Sequence, residues 1–158
     1  MSEVLLQPGD AAPDFTAVAV GAEYGDGRPV SLGGLKGRPV VLYFYPRDMT
    51  PGCTVQACAL RDGWKGLAGR VHLFGVSRDT VASHRKFLAK EALPFPLLSD
   101  EDGALVQAYG VWVEKKLYGK VSMGVERSSF VIGTDGRLKA VLRKVKPAEH
   151  LDQLLAAL

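Results

Sequence analysis

Two continuous apolar runs of strand length stand out along the chain, Val40–Tyr45 and Val71–Ser77. A run that is apolar at nearly every position, rather than at alternate positions, is typical of a central strand covered on both faces of its sheet. After the second run the apolar spacing becomes helical, as at Val81, Phe87 and Leu88. The pattern therefore predicts an α/β chain built around buried central strands.

Turn residues and helix caps predict the remaining elements. The predicted extended elements are a hairpin of Phe15–Val20 with Arg28–Leu32, a short piece at Leu93–Leu98, and a hairpin of Ser128–Ile132 with Leu138–Val145. The predicted helices cover Thr54–Gly66, Asp79 or Thr80 to Lys90, Gly103–Tyr109, and Pro147 to the C-terminus, with a long loop over Gly110–Val125. Alternation of strands and helices implies parallel pairing, and the last hairpin adds antiparallel strands. The expected fold is α/β and thioredoxin-like: a central mixed sheet flanked by helices, with an N-terminal β-hairpin extension.

Length and charge narrow the possible functions. A chain of 158 residues is expected to form a single domain over residues 1–158. The net charge is +3 and the basic residues are spread along the chain, which favours a solvated face over a nucleic-acid site. The N-terminus lacks the pattern of a secretory signal, and no apolar run approaches the roughly 18 residues that span a membrane. We therefore expect a cytoplasmic protein with no nucleic-acid or membrane partner.

The chemistry is concentrated where the first apolar run ends. Pro46 breaks the run, the turn Asp48–Gly52 follows, and Cys53 stands at the start of the next predicted helix. Cys58 comes five residues later, and the chain has 2 cysteines in all. In a reducing cytosol such a pair favours transient redox chemistry over a structural bridge. The free N–H groups and dipole of a helix start stabilise a thiolate, the reactive form of cysteine.

Thiolate formation alone accelerates a reaction very little. Lowering a thiol pKa from about 8.5 to about 6 raises the thiolate fraction at pH 7 roughly 30-fold. The same change lowers the nucleophilicity of the sulfur roughly 10-fold. An efficient site must therefore hold the substrate and stabilise its leaving oxygen with hydrogen-bond donors. The candidate donors are the Thr50 hydroxyl, the backbone N–H groups of Gly52 and Cys53, and the Arg127 guanidinium, with Pro46 as a shield against water.

The cysteine segment resembles the active-site signature of the peroxiredoxins. The pattern Pro46-x-x-x-Thr50-x-x-Cys53 carries the resemblance, and the stretch YFYPRDMTPGCTVQAC is similar to its form in the bacterioferritin comigratory protein (PrxQ-like) subgroup. The segments PGDAAPDF, LLSDEDG, YGVW and ERSSFVIGTDG extend it over essentially the whole chain. The resemblance implies a thiol-specific peroxidase that reduces hydrogen peroxide and organic hydroperoxides, without a metal or another cofactor.

The resemblance also implies roles for individual residues. It makes Cys53 the peroxidatic cysteine and Cys58 the resolving cysteine of an intramolecular disulfide. A monomer reduced by thioredoxin or a similar dithiol protein is the expected working form. The remaining assignments are Thr50 and Arg127 as activating partners, Pro46 as the shield, Gly52 as a backbone donor to the substrate, and Gln56 as the residue that orients the arginine.

Helix geometry places a constraint on the two cysteines. Residues five apart on an α-helix have Cα atoms about 8.6 Å apart. A disulfide tolerates at most about 7 Å. If the segment after Cys53 is helical in the reduced state, Cys58 can reach it only after the first turns unwind. We therefore predict local unfolding on oxidation, with a Cys53 sulfenic acid condensing with Cys58.

Several alternatives stay open at the level of sequence. Cys58 can be a small buried apolar residue, which would leave an enzyme with one functional cysteine. Arg127 can be a surface ion-pair partner, and Thr50 an ordinary turn residue. The three histidines show no metal-ligand spacing. A thioredoxin-like disulfide exchanger or redox sensor is the second functional hypothesis, although exchangers usually carry a C-x-x-C pair.

Overall fold

The two apolar runs form the centre of a mixed sheet in the computed structural model, which describes residues 5–35 and 37–158. In chain order the strands are β1 (Thr16–Val20), β2 (Arg28–Ser31), β3 (Val40–Phe44), β4 (His72–Ser77), β5 (Leu97–Ser99), β6 (Trp112–Leu117), β7 (Lys120–Val125), β8 (Ser128–Ile132) and β9 (Leu138–Leu142). The α-helices are α1 (Pro51–Asp62), α2 (Val81–Glu91), α3 (Ala104–Ala108) and α4 (His150–Ala157).

Strand β3 is central because it is apolar on both faces. Seven strands pair in the order β2-β1-β5-β4-β3-β8-β9. Strand β3 is parallel to β4 and antiparallel to β8, and every residue of β3 and β8 is buried. The predicted α/β, thioredoxin-like fold with a central mixed sheet and flanking helices is confirmed.

Successive residues of β3 point to opposite faces of the sheet, so each face receives a separate layer of the core. Val41 and Tyr43 face a cluster that contains residues of α1, α2 and α4. Leu42 and Phe44 face the other cluster, which contains residues of α3 and of the N-terminal segment. The helix that carries both cysteines therefore packs on the face occupied by Tyr43.

The two predicted hairpins are present. Strand β1 pairs with β2 as an antiparallel hairpin and also with β5, so the N-terminal extension joins the edge of the main sheet. Strand β8 pairs with β9 across the turn at Thr134–Gly136. Among the described residues, no helix combines the length and the apolar character needed to cross a membrane.

The prediction of a long loop over Gly110–Val125 was wrong. This stretch forms an antiparallel ribbon of β6 and β7, paired from Trp112 with Val125 to Leu117 with Lys120. Its two turn residues, Tyr118 and Gly119, have φ of 53° and 76°, as a type I′ turn requires. Most of the ribbon is exposed, so it lacks the apolar alternation that identifies a half-buried strand.

Two helices begin at residues other than those predicted. Helix α1 starts at Pro51, three residues before the predicted Thr54, with Thr50 as its N-cap. Proline is suited to a first helical position because its missing N–H would have no partner there. Helix α4 starts at His150 rather than Pro147, because a turn with a Glu149 N to Lys146 O bond of 3.0 Å comes first.

Candidate active site

Cys53 lies in the first turn of α1, just after the C-terminal end of β3. The N–H groups of Gly52 and Cys53 have no acceptor inside the helix, and the Thr50 side chain makes no capping bond to the helix. Cys53 is 1% exposed and packs in the same cluster as Tyr43. The thiol is therefore buried at the positive end of a helix, close to backbone donors.

Arg127 approaches the cysteine from the start of β8. Its Nη2 lies 3.5 Å from Cys53 Sγ. Ser128 pairs with Phe44, which places Arg127 beside the C-terminal end of β3. A Cβ atom on Gly52 would lie 3.1 Å from Nη2, so the missing side chain of this glycine gives the guanidinium its room. A guanidinium supplies several donors and a fixed positive charge next to the sulfur.

A buried chain of hydrogen bonds continues behind the guanidinium. Arg127 Nη1 donates to Gln56 Oε1 at 2.5 Å. Gln56 Nε2 lies 3.0 Å from His150 Nδ1, and His150 Nε2 lies 2.6 Å from Ser129 Oγ. Gln56, His150 and Ser129 are all 0% exposed. Burial, and secondarily the charge of Arg127, lowers the pKa of His150 to about 4, so its imidazole is neutral at pH 7.

Thr50 and Pro46 belong to the loop that leads into α1. The Thr50 hydroxyl donates to the carbonyl oxygen of Arg47 at 2.9 Å. Its hydrogen is therefore in use, and the hydroxyl has only lone pairs to offer a bound molecule. Pro46 is half-buried and directly follows the last buried residue of the β3 run, Tyr45.

Cys58 lies five residues after Cys53 on the same helix. It is half-buried, and its Sγ donates to Glu91 Oε1 at 3.5 Å. Burial, followed by this hydrogen bond, raises the pKa of Cys58. Arg61 Nη1 donates to the Glu91 carbonyl at 2.7 Å, which ties the same face of α1 to the end of α2. Both cysteines are free thiols in one continuous helix, the geometry that prevents direct bridging.

Asp48 fastens the loop before α1 to the start of α2. Its carboxylate accepts from the Tyr45 hydroxyl at 2.6 Å and from Ser83 Oγ at 2.8 Å, and it lies 2.8 Å from His84 Nδ1. Its backbone N–H donates to Asp79 Oδ2 at 2.8 Å. Asp48, Asp79 and His84 each bring one ligand-type atom within 4.8 Å of the others. These hydrogen bonds account for the cluster, and we assign it a structural role.

The other end of the cysteine segment is also fastened. Trp64, two residues after the end of α1, packs against Phe95 with ring centroids 5.7 Å apart. Leu67 beyond it is 0% exposed. The segment that contains Cys53 and Cys58 therefore lies between two fixed points, Asp48 and Trp64.

Sequence reasoning missed the residues that stand behind the site. His84 was placed in the helical pattern that runs to Lys90, and both His84 and His150 were considered as metal ligands, for which their spacing is unsuitable. Both are buried in hydrogen-bond networks, one behind Asp48 and one behind Gln56. The available signal was a polar residue inside an apolar element, such as His150 in α4, because a buried polar group needs a partner. That signal does not identify the partner.

The comparisons with known proteins agree in family. A profile of the AhpC/TSA family matches residues 8–141. The chain is 44% identical over 155 residues to the peroxiredoxin Bcp of Bacillus subtilis, covering 97% of this chain and 95% of that protein. It is 42% identical over 154 residues to the putative peroxiredoxin bcp of Coxiella burnetii, covering 97% and 99%.

Solved structures give the same result. The Xanthomonas campestris bacterioferritin comigratory protein, studied for its alkyl peroxide reduction activity, superposes with a TM-score of 0.82. It is 38% identical, and the match covers 90% of this chain and 88% of that one.

Proposed function

The chain belongs to the AhpC/TSA family as a peroxiredoxin of the Bcp type, and we propose from this that Cys53 is the thiol with which it reduces peroxides. The observation that carries the assignment is the 3.5 Å contact between Cys53 Sγ and Arg127 Nη2 at the start of α1. Hydrogen peroxide and organic hydroperoxides are the proposed substrates.

In the first step, the Cys53 thiolate attacks one peroxide oxygen, and the O–O bond breaks. The sulfur becomes a sulfenic acid, and the other oxygen leaves as water or an alcohol after it takes up a proton. Arg127 and the N–H groups of the first helical turn supply positive potential where the leaving oxygen gains charge. Thr50 supplies an acceptor for the hydrogen of the bound peroxide, because its own hydrogen is given to Arg47. Gln56 holds Arg127, and Pro46 screens the loop from water.

In the second step, Cys58 resolves the sulfenic acid. Its sulfur attacks Cys53 Sγ, the S–O bond breaks, and water leaves with the thiol proton. This step requires α1 to unwind, since both cysteines lie within the helix and Cys53 is almost inaccessible. Unwinding also removes Cys58 from Glu91.

A dithiol protein such as thioredoxin is the proposed reductant of the disulfide. The unwound segment presents Cys53 and Cys58 at the surface, where a partner thiolate can attack one sulfur. Both thiols belong to one helix, so the cycle needs no second copy of the chain, and we propose a monomer. A reducing cytoplasm suits the cycle, because it returns both cysteines to free thiols.

Disulfide exchange is the weaker alternative. An exchanger must present its attacking sulfur to a protein disulfide, whereas Cys53 is 1% exposed. A small peroxide needs far less access than a polypeptide. The burial of Cys53 therefore favours peroxide as the substrate.

One equivalent of hydrogen peroxide followed by intact-mass measurement tests the cycle. We expect the mass to fall by two hydrogens within seconds, and Cys53→Ser to abolish the change. Cys58→Ser should instead accumulate a sulfenic or sulfinic acid at Cys53. An unchanged mass in the unsubstituted chain would rule out the proposed peroxidase reaction.

Arg127→Ala tests the role of the guanidinium. We expect the rate constant of peroxide reduction to fall about 100-fold to 1000-fold. A loss of this size is typical when another enzyme loses a hydrogen-bond donor to its transition state. Alkylation of Cys53 by iodoacetamide, which reports the thiolate without needing the donor, should change much less. Arg78→Ala is the matched control, since Arg78 is an exposed arginine that stacks on Trp112. Equal losses in the peroxide and alkylation rates would argue against transition-state stabilisation.

A further inference from the structure

Three hydrogen bonds in series connect the active-site guanidinium, through helices α1 and α4, to strand β8. They run from Arg127 to Gln56, from Gln56 to His150, and from His150 to Ser129, with heavy-atom distances of 2.5, 3.0 and 2.6 Å. The last three residues are fully buried. Bulk water therefore does not compete for these hydrogen bonds.

The direction of every hydrogen bond in the series follows from the first. A guanidinium can only donate, so Gln56 must present its carbonyl oxygen to Arg127. The amide nitrogen of Gln56 then faces His150, and an amide nitrogen can only donate. His150 Nδ1 must therefore be an unprotonated acceptor. A neutral imidazole in this arrangement carries its proton on Nε2 and donates it to Ser129 Oγ.

The surroundings keep this imidazole neutral. His150 is the first residue of α4, where the helix dipole disfavours positive charge. The ring of Tyr43 packs against it with centroids 5.4 Å apart, and Arg127 is the nearby cation. Burial acts in the same direction, consistent with the lowered pKa described above. The lone pair on Nδ1 is thus available throughout the neutral pH range.

We propose that His150 is a positioning residue of the peroxidase site, whose Nδ1 lone pair fixes the Gln56 amide so that its oxygen holds Arg127 against Cys53. The proposal rests on the peroxidase function proposed above. Without an acceptor at His150, the buried NH₂ group of Gln56 has no partner, and Arg127 alone holds the amide in its orientation. If the amide shifts or turns to pair this group elsewhere, its oxygen moves off the guanidinium. Arg127 would then lose its buried partner and its fixed orientation over the sulfur.

Two substitutions at His150 separate positioning from packing. His150→Asn places an amide oxygen near the position of Nδ1 and keeps an acceptor for Gln56, whereas His150→Phe keeps a ring and removes the acceptor. We expect His150→Phe to lower the rate constant for Cys53 oxidation by peroxide about 10-fold to 100-fold, the cost of a misplaced catalytic group. His150→Asn should keep most of the rate. Iodoacetamide alkylation of Cys53 should differ little between the two variants, and a parallel loss in both reactions would overturn the proposal.

A Gln56→Glu background provides a stricter test. A carboxylate has two acceptor oxygens and no donor, so it cannot turn a donor toward Arg127 in either orientation. In this background we expect His150→Phe to change the peroxide rate by no more than about 2-fold, the usual error of additivity. The same loss in both backgrounds would mean that His150 acts through general packing, and the proposal would fail.

The tautomer can be read without any substitution or activity measurement. Nitrogen-15 NMR of the unsubstituted reduced protein should show the His150 proton on Nε2 and an unprotonated Nδ1. A proton on Nδ1 would overturn the proposal even if the protein reduces peroxide rapidly. Conversely, the expected tautomer in a protein that does not oxidise Cys53 would show that the proposed function had failed, and the positioning role of His150 with it.

Discussion

At the scale of single residues, two adjacent tyrosines have opposite hydrogen-bonding situations. Tyr43 and Tyr45 are each 1% exposed, but Tyr45 donates to Asp48 at 2.6 Å. The Tyr43 hydroxyl has no hydrogen-bond partner among the described residues. A buried hydroxyl without a hydrogen-bond partner destabilises the folded state, whereas one that has a partner stabilises it.

Removing the hydroxyl of Tyr43 and that of Tyr45 should have opposite effects on the free energy of unfolding. Tyr43→Phe should leave the free energy of unfolding unchanged or raise it by about 1 kcal/mol, because it removes an unpaired polar group. Tyr45→Phe should lower the free energy of unfolding by about 1–3 kcal/mol, because it leaves the buried Asp48 carboxylate with one donor fewer. Denaturant unfolding of the reduced protein measures both, and equal destabilisation would contradict this reading of Tyr43.

His150 predicts a pH-dependent stability. Its pKa is about 4 in the folded chain and about 6.5 in an unfolded one. The unfolded chain therefore binds the proton more readily between these values. His150 therefore does not reduce the free energy of unfolding above about pH 6.5. The free energy of unfolding falls as the pH is lowered toward 4, by up to about 3 kcal/mol. Unfolding free energies at pH 7.5 and 4.5 should show this loss in the unsubstituted chain and a smaller loss in His150→Asn. Parallel pH profiles would contradict the assignment.

Most residues of the candidate site could be named from the sequence, but His150 could not. Cys53, Thr50, Gln56 and Cys58 fall within 9 consecutive positions, so their spacing places them on one turn and one helix. Arg127 was placed by family resemblance and by its position before a predicted strand. His150 lies 94 positions from Gln56, and no periodicity links residues so far apart.

At the scale of elements, the proposed cycle requires helix α1 to change. We predict that amide hydrogen exchange over residues 50–62 is slow in the reduced protein and fast after peroxide treatment. The reason is that the Cys53–Cys58 bond is incompatible with the helix. Oxidised Cys58→Ser is the control, since it keeps a modified Cys53 but forms no disulfide. Equally slow exchange in both redox forms of the unsubstituted chain would disprove the unwinding step.

The buried elements could be predicted from the sequence, whereas the exposed ribbon could not. Strand β3 was recognised because the core imposes apolar residues on all its positions. The ribbon β6–β7 was mistaken for a loop because only its base, at Trp112 and Val125, packs against the core. Charged positions such as Glu114 to Lys116 carry no strand signal. Its Tyr118-Gly119 turn was the only local indication. Helix starts were displaced by about three residues, since caps and prolines can serve either a helix or the turn before it.

At the scale of the whole molecule, oxidation should lower thermal stability. Unwinding α1 exposes side chains that the sheet now covers, including Ala57 and Leu60. A disulfide that closes so short a loop contributes only about 2 kcal/mol through the unfolded state. Full burial of one leucine alone is worth about 1.5–3 kcal/mol. We expect the melting temperature of the disulfide form to be several degrees below that of the reduced form and to recover with dithiothreitol. An increase would mean that the helix stays packed.

The two fixed points that flank α1 affect how fast the helix can re-form after it unwinds. Asp48 is held by Tyr45 and Ser83, and Trp64 packs on Phe95, so unwinding frees only the short segment between them. Closing a loop of about ten residues takes about 10–100 ns, and helix formation about 0.1–1 μs. Enzymes commonly turn over about 1–1000 times per second. Once α1 has unwound, it can therefore re-form well within one turnover. The slow event of the cycle should be a bond change at sulfur or an encounter with the reductant, not the rewinding of α1.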